Sequence, residues 1–397
     1  MRHVGRGVLS SLAVGCVAGC FAWGLTMSAD ASSLTGKARL EPVPFSALSG
    51  WEQDDHAAAF QAFLLSCRSL TTQDPALRPA QKPKADLLKV CRKALDAGAS
   101  LTRDEARRFF DTHFQPFSVI PVTGEGFLTG YYEPEFWGSR EKTAIYSVPL
   151  LARPDDLVTI AQGETLPGLQ AGLQAARRTR NGYEPYSDRA AIEDGALGSK
   201  AKPLVYLREP AEAFIIHVQG STRIRLIDGS VMRLAYAGRN GHPYTSIGKL
   251  LVAQGVMDLE SMTLEKLMGW LKDNPEPARA LMRQNRSYIF FREADELSPE
   301  QGPIGGAGIP LVPGRSLAVD RSLWAYGLPF WLDGQLPLSL DTAEPLQRLM
   351  IAQDTGSAIV GPARGDFFFG SGEAAGTRAG LLRHPTRFVV LQPKSRT

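Results

Sequence analysis

Three aspartates in the last quarter of the chain sit where a carboxylate is costly. Asp320 follows the apolar run Ser316-Leu317-Ala318-Val319, and Asp354 follows Leu349-Met350-Ile351-Ala352-Gln353. Asp366 precedes Phe367-Phe368-Phe369. Each lies inside or beside a stretch that reads as a buried strand, where an ionised carboxyl needs hydrogen bonds or takes up a proton. A carboxyl that stays protonated near neutral pH is what a general acid requires. One such Asp by itself commonly caps a turn. Three in one strand-rich segment, with Gly356, Gly361, Gly365 and Gly370 around the last two, point to a site into which backbone and ligand can approach closely.

The elements that must position these groups fall into two kinds. Helical spacing covers 55–69, with Phe60, Phe63 and Leu64 on one face, then 87–97, and a third helix starting near Thr102. There Thr102 and Glu105 have capping-box spacing. The prolines of 71–84 mark a loop. Strand patterns follow at 127–132, 214–219, 222–226 and 231–236, with Asp228-Gly229 as a hairpin turn between the last two. Helical patterns at 246–254, 264–271 and 276–284 precede a strand at 287–292. From 302 onward strand and turn dominate, with a short helical pattern at 322–326 only. The 39 Gly and 27 Pro agree with a mainly β chain.

Composition excludes some classes. A net charge of +3 over 397 residues gives no case for a nucleic-acid partner. No Cys/His cluster has metal-ligand spacing. At the start, Arg2 and Arg6 precede an uncharged run, 8–27, and Ala29-Asp30-Ala31 offers small residues to a signal peptidase. Residues 1–31 therefore read as an export signal. An uncleaved anchor and a lipoprotein, with Cys20 in Val17-Ala18-Gly19-Cys20 as the lipidated residue, stay open. In an exported chain the remaining pair, Cys67 and Cys91, reads as a disulfide joining the first two helices.

The ordered blocks of the chain resemble the membrane-bound lytic murein transglycosylase A family. They include Thr129-Gly130-Tyr131-Tyr132-Glu133-Pro134, His217-Val218-Gln219-Gly220-Ser221, and Tyr236-Ala237-Gly238-Arg239-Asn240-Gly241-His242-Pro243-Tyr244. Pro310 to Ser316 and Ala352-Gln353-Asp354-Thr355-Gly356 through Asp366 complete the match. The resemblance implies a mainly β fold: a double-psi β-barrel from 38–137 plus 294–397, carrying a three-aspartate module at 302–397, with a smaller β-rich domain, 138–293, inserted, and helices near the N-terminus. It implies that Asp366 is the catalytic acid, with Asp354 and Asp320 supporting it. Where the family often reads Gly-Gly-Ala-Ile-Lys-Gly, this chain has Gly356-Ser357-Ala358-Ile359-Val360-Gly361, so Asp354 loses a cationic neighbour.

The implied activity is cleavage of the β-1,4 bond between N-acetylmuramic acid and N-acetylglucosamine in peptidoglycan, leaving 1,6-anhydromuramic ends. One carboxylate suffices because no external water is activated, and no metal or cofactor is called for. Tyr131, Tyr132, Gln219 and Ser221 are the candidate glycan contacts, with strand core as the other reading of the tyrosines. His217 and His242 read as structural. The implied partners are peptidoglycan strands, with membrane attachment through Cys20 or the leader open, in the periplasm and in reach of the outer membrane. Two other functions stay in view. One is a non-catalytic peptidoglycan-binding or expansin-like wall protein. The other is a muramidase-type hydrolase that needs a second carboxylate, for which Glu133, Glu193 and Glu373 are available.

Overall fold

The computed structural model describes residues 36–161, 164–170 and 172–395. The stretch read as an export signal, 1–31, and Cys20 lie outside the described residues.

Local signals set the first helices. Strand β1 (Ala38–Pro42) is followed by α1 (His56–Thr72), whose N-cap Asp55 accepts the Ala58 amide at 3.0 Å. Helix α2 is Ala85–Ala97, and α3 (Arg103–His113) starts at a complete capping box between Thr102 and Glu105. Phe60 and Phe63 of α1 meet Phe110 of α3 edge to face, at centroid separations of 6.2 and 5.8 Å. Cys67 and Cys91 form a disulfide between α1 and α2, with their Cα atoms 4.8 Å apart. A 24-residue separation predicts a loss of about 3 kcal/mol on opening the bridge. Cys67→Ser should therefore show that drop in urea unfolding relative to oxidised wild type, and an unchanged midpoint would mean that the helix packing alone suffices.

Strands β2 (Phe114–Pro121), β3 (Phe127–Glu133) and β4 (Glu135–Gly138) follow. The chain then builds β5 (Val148–Leu151), β6 (Leu157–Thr159), β7 (Ala175–Thr179), β8 (Gly182–Pro185), α4 (Arg189–Glu193) and β9 (Pro203–Leu207). Next come α5 (Pro210–Gln219), the hairpin β10 (Ser221–Leu226) and β11 (Val231–Arg239), then α6 (Ile247–Ala253), α7 (Leu264–Asp273), α8 (Pro275–Gln284) and β12 (Ile289–Glu293). The last segment holds β13 (Ser316–Val319), β14 (Pro329–Pro337), β15 (Ala343–Asp354), β16 (Arg364–Ser371), α9 (Glu373–Leu381), β17 (Arg383–Pro385) and β18 (Arg387–Pro393).

The largest sheet has nine strands in the order β1-β2-β18-β14-β15-β13-β16-β3-β17, and a second sheet has the order β12-β11-β10-β4. Strands β13 and β15 pair in parallel, as do β16 and β3. The fold is mainly β, with several sheets and helices packed on them. Among the described residues the strand order of this sheet is an open series, and its edge strands β1 and β17 end in Pro42 and Pro385, which add no ladder N–H. Residues 349–352 of β15 are fully buried, because α1 covers one face of this strand. Gln353 fastens that contact by donating to Ala62 O at 2.7 Å and to Ser66 Oγ at 2.9 Å. Nearby, Arg315 makes two bonds to Asp54, at 2.8 and 2.9 Å, in a buried fork that composition did not announce.

Three expectations need correction. Residues 214–219 are helical, within α5, not a strand. A capping box between Glu209 and Glu212, Pro210 in the first turn and Gly220 at φ 84° bound this helix. The turn at 322–326 is not a helix, whereas α9, unread in the sequence, is one. Among the described residues no helix is long and apolar enough to cross a membrane.

Candidate active site

Asp366 lies in β16, with Ala318 of β13 opposite on one side and Thr129 of β3 opposite on the other. Thr129 Oγ1 donates to Asp366 Oδ1 at 2.6 Å, and Arg364 donates to the same Thr129 oxygen at 2.8 Å. Arg364 and Asp366 share a face because side chains alternate along a strand. Between them Gly365 has no substitute: a Cβ there would stand 2.8 Å from the Phe388 ring.

Burial pushes the Asp366 carboxyl up to about 6, and the negative charge of Asp354 adds to the rise. Arg364 and the Thr129 hydrogen bond act in the opposite direction. The side chain is still half-buried rather than sealed, so the proton it holds near neutral pH can meet a ligand.

Asp354 closes β15. Its Oδ1 accepts the amides of Gly306 at 2.7 Å and Thr355 at 2.8 Å. Burial raises its pKa, while these amides and the charge of Arg78 pull it down. Arg78 is thus the cation that acts on Asp354. Asp320 has a different task. It accepts Ser322 N at 2.9 Å and Ser322 Oγ at 2.6 Å, and its second oxygen accepts Gly361 N at 2.8 Å. It therefore ties down the loop between Asp354 and Asp366.

Tyr131 lies within electrostatic reach of both Asp354 and Asp366. Its ring packs on Phe368 at 5.2 Å, and its hydroxyl is buried without a partner of good hydrogen-bond geometry. Burial first, then the charges of Asp354 and Asp366, raise its pKa well above the ordinary phenol value. Tyr132 points elsewhere: it is buried against Ala375 and Ala379 of α9, which makes its ring core rather than groove. Gln219, half-buried at the end of α5, accepts the Tyr132 amide at 3.1 Å and so holds β3 in place from the other sheet's side. Ser221 is buried at the start of β10.

Sequence reasoning missed three residues of this site. Thr129 and Arg364 were legible in principle, since each lies two positions from a named residue on the same strand face. Tyr244 was not. It comes from the loop after β11, and besides burial, the charge of Asp366 raises its pKa, so a phenol from the second sheet's segment lies near the acid. Both histidines are structural. His217 stacks on Phe291 and meets Arg189 at 3.1 Å, and His242 meets Tyr186 O at 2.7 Å.

Residues 127–292 match the family described as the MltA specific insert domain, and residues 315–392 match the 3D domain. The crystal structure of a membrane-bound lytic murein transglycosylase from Agrobacterium tumefaciens is 35% identical, with a TM-score of 0.79, covering 89% of this chain and 97% of that one. The chain belongs to the membrane-bound lytic murein transglycosylase A family. Membrane-bound lytic murein transglycosylase A of Vibrio cholerae is 36% identical over 202 residues, which are 49% of this chain and 53% of that relative. The aligned part thus spans about half the length of that curated relative. Escherichia coli MltA with bound chitohexaose is similar at a TM-score of 0.62 and 25% identity, covering 92% of this chain and 97% of that one. Within the family frame, the insert match contains Thr129, Tyr131, Gln219 and Tyr244, and the 3D match contains all three aspartates.

Replacing Asp354 by Asn keeps the Oδ1 acceptor but removes a charge that raises the Asp366 pKa. The expected result is a partial loss of activity, on the order of tenfold, with the alkaline limb of the pH–rate curve moved to lower pH. A rate and pH profile equal to wild type would confine Asp354 to its loop.

Proposed function

We propose that this chain is a lytic transglycosylase that cleaves the β-1,4 bond between N-acetylmuramic acid and N-acetylglucosamine and leaves 1,6-anhydromuramic ends. The observation that carries this reading is the half-buried Asp366 carboxyl, raised to about 6 and held by Thr129. Protonated Asp366 gives its proton to the glycosidic oxygen as the C1–O bond breaks. The resulting carboxylate faces an oxocarbenium-like C1. It then takes the proton of the muramic C6 hydroxyl, whose oxygen bonds to C1. The proton count balances with one carboxyl and no external water. Tyr131, Gln219 and Ser221 are the residues we assign to the glycan, and Asp354 and Asp320 to holding the loop and tuning the acid.

The state of the other carboxylates supports this over a muramidase-type hydrolase. Glu133 is held by Arg223, Arg233 and Ser371, Glu193 by Arg283, and Glu373 is exposed in the first turn of α9. For the fold we infer a double-psi crossing within the nine-stranded sheet, supported by its two parallel pairs among antiparallel ones, with 138–293 as an inserted domain. The cellular reading that goes with this chemistry is the periplasm, against the wall, with outer-membrane attachment through a Cys20 lipid or the leader.

Digestion of purified sacculi followed by mass spectrometry tests the proposal. Fragments one water lighter than reducing-end muropeptides are expected. Reducing ends would make the protein a hydrolase, and unchanged sacculi with bound protein would make it a binding or wall-loosening protein.

A further inference from the structure

Three arginines converge beside the Asp354 loop, and among the described residues none of them has an acidic partner within ion-pair distance. Arg78, in the loop between α1 and α2, donates to Thr355 O at 2.8 Å, and its guanidinium lies 5.4 Å from the centre of the Tyr236 ring on β11. Arg321, just after β13, donates to Pro79 O at 2.8 Å. Arg239, at the end of β11, donates to Ser357 Oγ. This last arginine is only 6% exposed, and its Nε is buried with no partner. By contrast, Arg233 and Arg223 share Glu133, and Arg315 has Asp54.

Such a group is strained electrostatically. Burial first, then the charges of Arg78 and Arg321, bring Arg239 down to about 10, and Arg321 is likewise lowered by burial and by Arg78. A desolvated cation without a counterion is costly, and an incoming anion relieves it. The donors come from both sheets' segments, so that anion would join them. The place is continuous with the acid: Arg78 acts on Asp354, and Asp354 acts on Asp366.

We infer that Arg78, Arg239 and Arg321 form a carboxylate-binding subsite for the acidic substituent of the glycan strand. This rests on the glycan reading given above. Guanidinium groups hold carboxylates through paired, charge-assisted N–H bonds, and each arginine here has donors to spare. A neutral oligosaccharide has nothing to place there. A muramyl strand has, either in the lactyl carboxyl of peptide-free glycan or in the carboxylates of the attached peptide.

The test is binding to the full chain carrying Asp366→Asn, so that no probe is consumed. Three probes are titrated: an N-acetylglucosamine hexamer, peptide-free glycan strands with free lactyl carboxyls, and peptide-bearing strands. The parent is expected to hold a carboxylated probe at least about tenfold more tightly than the hexamer, with the ratio falling as salt rises. Arg78→Gln and Arg321→Gln, each added to the parent, should bring that ratio down by about tenfold, and Arg239→Lys, which keeps the charge but loses the paired N–H fork, should lower it by less than that. Preference for peptide-free strands alone assigns the lactyl carboxyl, which is an amide in the peptide-bearing strands; preference for peptide-bearing strands alone assigns the peptide carboxylates; preference for both means that the subsite holds either carboxylate. An unchanged ratio in Arg78→Gln and Arg321→Gln at wild-type melting temperature overturns the subsite. Hexamer binding without any preference in the parent overturns it too and leaves the glycan reading standing, whereas failure to bind any saccharide removes the glycan reading itself.

Discussion

Asp366→Asn should lower the release of anhydro-ended fragments from sacculi by about 10²–10⁴-fold, the range of a positioned acid–base group. The substitution keeps the shape and the acceptor for Thr129 Oγ1, so the strand need not move. In the proposed mechanism it removes the one proton that passes to the bridging oxygen and the base that later takes the C6 proton. Wild-type activity should fall on the alkaline side of about pH 6, tenfold for each further pH unit, because the donor form is being lost. The linkage has a definite sign. A carboxyl raised on folding favours the folded state fully below its unfolded value near 3.8, and that contribution disappears as pH rises through about 6. Asp366→Asn should accordingly melt at a higher temperature than wild type at pH 8 and show no such gain at pH 4. Fragment release within tenfold of wild type would remove Asp366 from the chemistry, whatever the melting data.

The largest expected effect on stability lies at Glu133. Its carboxylate is 1% exposed and accepts from Arg233 at 2.9 and 3.2 Å, from Arg223 at 2.8 Å and from Ser371 Oγ at 2.6 Å. Glu133 belongs to β3, the strand that also carries Thr129, while both arginines belong to the second sheet. The cluster therefore fastens the two sheets together immediately beside the site. Glu133→Ala leaves Arg233 buried without its counterion, which costs about 3–5 kcal/mol in comparable buried pairs. Denaturant unfolding should show that loss. Replacing Glu133 and Arg233 together by Met should recover part of it, since only Arg223, whose side chain is 19% exposed, is then left without its carboxylate. A Glu133→Ala loss below about 1 kcal/mol would mean that water reaches Arg233 and that the cluster is not a dry junction.

Features with a local cause could be read without the fold. The α3 capping box, the Asp55 cap and the Asp228-Gly229 turn each involve residues two to four apart, so their partners are visible in the sequence. Where a run was misread, two local signals competed. Residues 214–219 carry Ile215, Ile216 and Val218, which favour a strand, but Pro210, the Glu209–Glu212 box and Gly220 bound a helix whose Ile216 and Ala213 then pack on the second sheet. Helix α9 was hidden for another reason. Its small residues serve contacts rather than periodicity, since a Cβ on Gly376 would come within 2.7 Å of the Tyr132 ring.

The aspartates show the same division. Their residue type, their apolar flanks and the glycines around them already required that some carboxyl be buried and its charge managed, because desolvation follows from composition along a strand. Which carboxyl received the Thr129 hydroxyl was decided by strand register. The β16–β3 pairing puts Thr129 against Asp366, and the end of β15 gives Asp354 two amides instead. Tyr244, the Arg78 charge and the three-arginine cluster come from segments far apart in the chain. No spacing rule links such residues; only the packing of one sheet beside the other brings their charges within reach of the same carboxyl groups.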